Sequence, residues 1–178
     1  MIERDRFEGI FREHGCADFK WIDPRRIVVA QWVRMKCMFG CGGYGSAACP
    51  PNTPPVEECR RFISDYLEGV VFHFVKAVDQ PDDRHDWGRE TNARLMELER
   101  AVFLSGCHKA FMLHASTCSL CPECAPTRVE CRHQKLARPA PEGLAIDVFA
   151  TVRQYGYPID VLSDHTQAMD RYAFLLIE

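Results

Sequence analysis

The sequence predicts an α+β fold: a small mixed β-sheet flanked by helices, with two cysteine-rich loops in a single domain spanning residues 1–178. Three observations lead there. Short apolar runs rich in β-branched residues alternate with amphipathic segments at helical spacing, the pattern of a layered sheet-and-helix domain. Hydrophobic residues fill 47% of 178 positions, enough for one core at a length typical of one domain. Two stretches, 37–55 and 118–141, hold cysteine, glycine and proline without an apolar period, so burial of a hydrophobic face cannot fold them.

In chain order, Phe7, Ile10, Phe11 and His14 fall at helical spacing within Ile2–His14, and Gly15 stops that helix. Ile27 to Val33 is apolar and β-branched, which predicts a buried strand. After the first cysteine loop, Pro54-Pro55 opens a helix running to about Glu68, with Val56, Cys59, Phe62, Ile63, Tyr66 and Leu67 inward. Val70 to Val75 predicts a strand, Asp79 to Asp86 a polar loop, and Glu90 to Leu104 a helix with Leu95, Leu98 and Val102 on one face. Lys109 to Ala115 predicts the next strand, and this strand–helix–strand unit has the length of a crossover connection. Beyond the second cysteine loop, Glu142 to Tyr155 predicts a helix closed by Gly156. Two short strands, Ile159–Leu162 and Tyr172–Ile177, end the pattern. Because each cysteine loop follows a predicted strand, the two are expected at neighbouring ends of the sheet.

Composition narrows the function. With 22 basic and 25 acidic residues the net charge is −3, which removes the basic footprint of a nucleic-acid binder. No apolar run has the length of a bilayer span, so no membrane association is expected. The opening Met1-Ile2-Glu3-Arg4-Asp5-Arg6 is charged and lacks the apolar stretch of a secretory signal, which points to the cytoplasm. Ten cysteines in a reducing compartment direct attention to metal or redox chemistry rather than disulfides.

The sharper motif is Cys118-Ser119-Leu120-Cys121-Pro122-Glu123-Cys124, a C-x2-C-x2-C run, with Cys131 six residues further on. Gaps of two let successive thiolates converge on one centre while the backbone wraps it, as in bacterial ferredoxins. The ferredoxin run places its fourth cysteine sooner and before proline; here Arg132 follows Cys131. Zinc is the competing ligand, since four cysteines also make a tetrahedral site, although zinc sites usually pair two separated C-x2-C knuckles. The first loop offers Cys37, Cys41 and Cys49 at gaps of three and seven, with glycines between them and Pro50-Pro51 after. Those glycines permit left-handed turns and close approach of backbone amides to an anion. Seven loop cysteines are one short of two cubane sets. Cys16, Cys59, Cys107, a histidine, a shared cysteine or an open iron position are the alternatives for the missing ligand. Cys59, on the apolar face of its helix, reads as a core residue.

Arg34, Lys36, Arg128, Arg132, His133, Lys135 and Arg138 crowd the loops, where positive charge raises the potential of an anionic cluster or simply forms a solvated face. His73 and His114 fall within predicted strands and read as core or edge histidines rather than ligands. Asp82-Asp83-Arg84-His85-Asp86 reads as a solvated loop. No dinucleotide fingerprint, phosphate-cradling loop or Gly-x-Ser-x-Gly elbow occurs, and the radical-SAM spacing fails at its third cysteine.

Taken together, Arg34-x-Lys36-Cys37, Cys41, Tyr44-Gly45, Cys49-Pro50-Pro51, Lys109-Ala110-Phe111, Cys118-x-x-Cys121-x-x-Cys124, Cys131-Arg132-His133, Ala137-Arg138-Pro139 and Gly143-x-x-Ile146-Asp147-Val148-Phe149 form an ordered set of blocks. In these blocks, from about Val33 to Leu162, the chain resembles a prokaryotic family of predicted metal-binding proteins, the domain of unknown function 2284. The resemblance implies metal binding through the seven loop cysteines, as iron–sulfur centres, and carries no reaction. The expected function is an iron–sulfur protein passing electrons to or from a partner redox enzyme. Cys118, Cys121, Cys124 and Cys131 would hold one 4Fe–4S cluster, and Cys37, Cys41 and Cys49 a second or incompletely ligated one. The alternatives are a zinc-binding structural or interaction module and, behind it, an enzyme using an open iron at the first loop as Lewis acid.

Overall fold

In the computed structural model, which describes residues 3–164 and 166–178, the last strand organises the architecture. Strand β4 (Met169–Leu176) turns Tyr172, Phe174 and Leu176 to one face and Ala173 and Leu175 to the other, all buried. A strand apolar on both faces must be covered on both. It lies inside a four-stranded sheet with β1 (Phe19–Ile22), β2 (Gly69–Lys76) and β3 (Phe111–Leu113), in the order β1-β2-β4-β3. Every hydrogen-bonded pair is antiparallel, with Val71 opposite Phe174 and Leu113 opposite Phe174 on the two sides of β4. β2 and β3 therefore run in the same direction with β4 between them, joined by the long helix α4 (Asp83–Leu104). The fold is α+β.

One face packs Val70, Phe72, Met112 and Leu175 against α1 (Arg4–Glu13) and α4. Phe11 of α1 meets Phe19 and Phe72 edge to face at 5.2 and 5.1 Å. The other face packs Val71, Leu113 and Phe174 against Cys59 and Ile63 of α3 (Val56–Ser64) and Val148 and Val152 of α5 (Val148–Arg153). No helix among the described residues is long and apolar enough to cross a membrane.

Several predicted elements change. The first helix begins at Arg4, and Ile2 lies outside the described residues. Ile27–Val33 is not a strand: helix α2 (Gln31–Gly40) starts within it, and only Val29 forms an isolated bridge, to Ile146. The backbone there finds partners in a distant segment instead: Val28 N donates to Thr151 Oγ1 at 3.0 Å, Asp147 N to Val28 O at 2.8 Å, and Ala30 N to Ala145 O at 2.9 Å. Those bonds satisfy the extended residues without a neighbouring strand. The helix predicted to reach Glu68 ends at Ser64, leaving Tyr66 buried but Leu67 exposed. The polar loop yields to α4 from Asp83 onward. The helix predicted over Glu142–Tyr155 is broken. A 3-10 turn (Pro141–Leu144) is followed by Ala145 at φ 60°, a left-handed conformation no helix continues through. α5 then restarts with the Asp147 carboxylate accepting from Ala150 N at 2.9 Å. Ile159–Leu162 forms no strand; Ile159 is buried while Val161 points to solvent.

Candidate metal centre

The first cysteine loop starts on a helix, not after a strand. Cys37 sits in the last turn of α2 and Cys41 directly follows Gly40. Arg34, buried on the inner side of α2, holds this end in place, its Nη2 donating to Pro54 O at 3.1 Å and to Gly143 O at 3.2 Å. Successive turns carry the chain onward: Tyr44 N donates to Cys41 O, Ser46 N to Gly43 O and Cys49 N to Ser46 O, at 3.1, 3.1 and 2.9 Å. Gly45, at φ 90°, occupies backbone space closed to side chains. A Cβ placed on Gly43 would stand 3.5 Å from Cys49 Sγ, 3.6 Å from Cys41 Sγ and 3.4 Å from Thr117 Cγ2. Two sulfurs of the first loop thus flank Gly43, and the start of the second loop lies against the same spot. Gly43 N–H also points to Cys41 Sγ at 3.4 Å.

The second loop is anchored at both ends. Its entry follows β3, where Asn92 of α4 donates to Ser116 O and Ser116 Oγ at 3.3 and 3.1 Å. Its exit is held by Arg138, whose Nε and Nη2 reach the two carboxylate oxygens of Glu99 at 2.9 and 2.5 Å. Between these anchors Cys118, Cys121, Cys124 and Cys131 line one cleft together with Arg132, His133 and the first loop's Ala47 and Ala48. Asn52 ties the loops directly, its Nδ2 donating to Pro126 O at 2.9 Å and to Gly45 O and Ser46 O at 3.2 Å each. Asn52→Ala is expected to cost about 1–3 kcal/mol in denaturant unfolding and to speed metal release to a chelator, because the Pro126 and Gly45 carbonyls lose this donor and the tie between the loops is cut.

Electrostatics point the same way. Burial pushes the Cys49 thiol up to about 12, and Cys41, Cys37, Cys118 and Cys124 each add to the rise. Burial likewise raises Cys118, with Cys124 and Cys131 contributing and backbone hydrogen bonds from Leu120 and Arg138 opposing. Cys37 is raised by burial, then by Cys41 and Glu142, against the pull of Arg34. Thiols crowded in this way ionise together only when a metal cation supplies the compensating charge. All ten cysteines are free. Among the described residues, no three His, Cys, Asp or Glu side chains close around a single ion position; the loop cysteines border a shared region instead.

The remaining cysteines lie in cores. Cys16 is buried beside Phe7 and Phe11, its thiol pushed to about 11 by that burial, and Cys107 packs against the same cluster. Cys59 is a core residue of α3, as its apolar face predicts. His73 stacks on Tyr172 at 4.8 Å and bonds Asp18 and Asp170, both at 2.7 Å, while His114 is wholly buried. Among the basic residues, Arg132 and His133 line the cleft, Arg34 and Arg138 are structural clamps, and Lys36 and Lys135 face solvent. Sequence reasoning missed Asn52 and Glu99. Glu99 had a signal, since it lies on the α4 stripe with Leu95, Leu98 and Val102, where a charge needs a partner.

A family model described as "Predicted metal-binding protein (DUF2284)" matches residues 20–177, a span containing both loops and all seven of their cysteines. The chain belongs to this family. No curated protein and no solved structure matches it. Metal binding is thus what DUF2284 membership brings to the chain, and the kind of metal is left to the chemistry of the site.

Proposed function

We propose that this DUF2284 protein is an iron–sulfur protein that transfers electrons to or from a partner redox enzyme in the reducing cytoplasm. Cys118, Cys121, Cys124 and Cys131 would hold a 4Fe–4S cluster. Cys37, Cys41 and Cys49 would hold a second one, incomplete on its own. The single observation that carries the reading is the cleft lined by all four cysteines of the C-x2-C-x2-C…C loop. A cluster bound there supplies one-electron chemistry at a potential set by charge, hydrogen bonds to sulfur and exposure. The chain's own contributions fit that role: backbone groups of Leu120 and Arg138 on Cys118, Gly43 N–H toward Cys41, and Arg132 and His133 in the cleft wall. The electrostatic coupling of Cys49 to Cys118 and Cys124 supports a cysteine shared between the loops as the missing ligand. Cys41 and Cys124 are exposed, and Met38, Phe39 and Tyr44 form an apolar rim beside the first loop, with Phe39 78% exposed. Such a rim suits a docking partner.

Iron and acid-labile sulfide analysis of oxygen-free protein tests the reading. The expected sample is brown, contains both elements, and loses its visible absorbance on reduction. Loss of half the iron on Cys118→Ala and on Cys37→Ala would mean two independent centres, and total loss from either a shared one. Colourless protein carrying stoichiometric zinc without sulfide overturns the proposal.

A further inference from the structure

Beside the cysteine cleft lies a second cavity, and Ala47, Ala48 and Ala137 form walls of both. It is the roomier, about 740 Å³ against about 340 Å³ with the open mouths included. Part of its wall is apolar, formed by Phe62, Phe111, Pro139 and Leu144, and the two phenylalanine rings meet edge to face at 5.1 Å. Two arginines, Arg128 and Arg138, line it. Arg138 is committed to Glu99 and to the Lys135 and Ala137 carbonyls. Arg128 is not: its Nη2 donates to Gln134 O, but its buried Nη1 has no hydrogen-bond partner among the described residues. No carboxylate side chain lines the cavity to claim it. A buried cationic donor left without an acceptor is costly, and an oxyanion of a ligand removes that cost. An apolar wall with one well-placed polar group is how small-molecule sites are built.

We propose that this cavity binds a small organic carboxylate with a flat apolar body, the carboxylate on Arg128 Nη1 and the body against Phe62 and Phe111, next to the cysteine cleft. The site is formed by side chains of this chain and does not depend on whether the cysteines take iron or zinc. Calorimetric titration of the metal-bound protein with benzoate tests it, with benzamide as the uncharged ligand of the same shape. Benzoate is expected to bind saturably, benzamide at least about tenfold more weakly, and Arg128→Gln to weaken benzoate by about tenfold or more. Lys135→Gln, a nearby exposed charge, should leave the affinity unchanged. Absence of saturable benzoate binding, equal affinity for benzamide, or an Arg128→Gln affinity equal to the parent's each overturns the proposal. The benzoate–benzamide comparison needs no variant, so it decides the matter even if Arg128→Gln fails to fold. Metal analysis of the same sample reports separately on the iron–sulfur reading.

Discussion

Glu99→Ala is expected to destabilise the protein by about 3–5 kcal/mol, the cost of stranding a buried charge. Glu99 sits on the inner face of α4, and its side chain retains 10% exposure against 17% for Arg138. One carboxylate serves two donors: Oε2 accepts from Met112 N at 2.7 Å, inside β3, and the pair of oxygens holds Arg138 in two-pronged fashion. Truncation therefore orphans a buried backbone N–H and a guanidinium at once. Because Arg138 closes the second cysteine loop, the metal should also leave faster in this variant. The double change Glu99→Leu with Arg138→Met should recover the part of the loss due to the stranded guanidinium, while the Met112 N–H stays without its acceptor. Urea unfolding of the two variants checks this, and a cost below about 1 kcal/mol for Glu99→Ala would show that the pair does not hold the loop.

Acidification should destabilise the metal-free protein in a way that His114→Leu abolishes. His114 is wholly buried, and neither ring nitrogen has a hydrogen-bond partner among the described residues. Burial, assisted by the Arg138 charge, pushes its pKa down to about 3. In the unfolded chain the ring titrates near 6.5, so the folded state binds fewer protons between those values. The contribution to stability is complete above pH 6.5 and is lost progressively as pH falls toward 3. The loss reaches about 2 kcal/mol at pH 5 relative to neutrality. Metal-free protein is the right sample because acid also strips thiolate ligands, while the raised thiols stay neutral throughout this range. Equal stability of the parent at pH 7 and pH 5 would contradict the argument.

Much of this fold was legible in advance where one local period dominates. The stripes Phe7/Phe11, Val56/Cys59/Ile63 and Leu95/Leu98/Val102 are buried as their spacing predicts, and β2 and β4 lie where β-branched and aromatic residues concentrate. Misreadings cluster where backbone hydrogen bonds go to distant segments. Val28 and Ala30 bond the 145–151 stretch, so a β-branched run stays out of the sheet and α2 begins three residues after Val28. Ala145, which has no helix-breaking chemistry of its own, adopts a left-handed conformation while its carbonyl accepts from Ala30 and its N–H donates to Glu142 O. Nothing in residues 142–155 alone announces that break.

The spacing of Cys118, Cys121, Cys124 and Cys131 is a property of the covalent chain, and with it came the concentration of four sulfurs in one short, core-free loop. The same holds for Cys37, Cys41 and Cys49 and the glycines between them. Only the tertiary structure decided that these two loops meet: Ala47 and Ala48 enter the wall of the other loop's cleft, Asn52 reaches Pro126 across 74 positions, and Glu99 secures Arg138. The reason is physical. Bond lengths and turn geometry bring near neighbours together whatever surrounds them, whereas contacts between remote segments exist only once the sheet and its two layers of helices have packed.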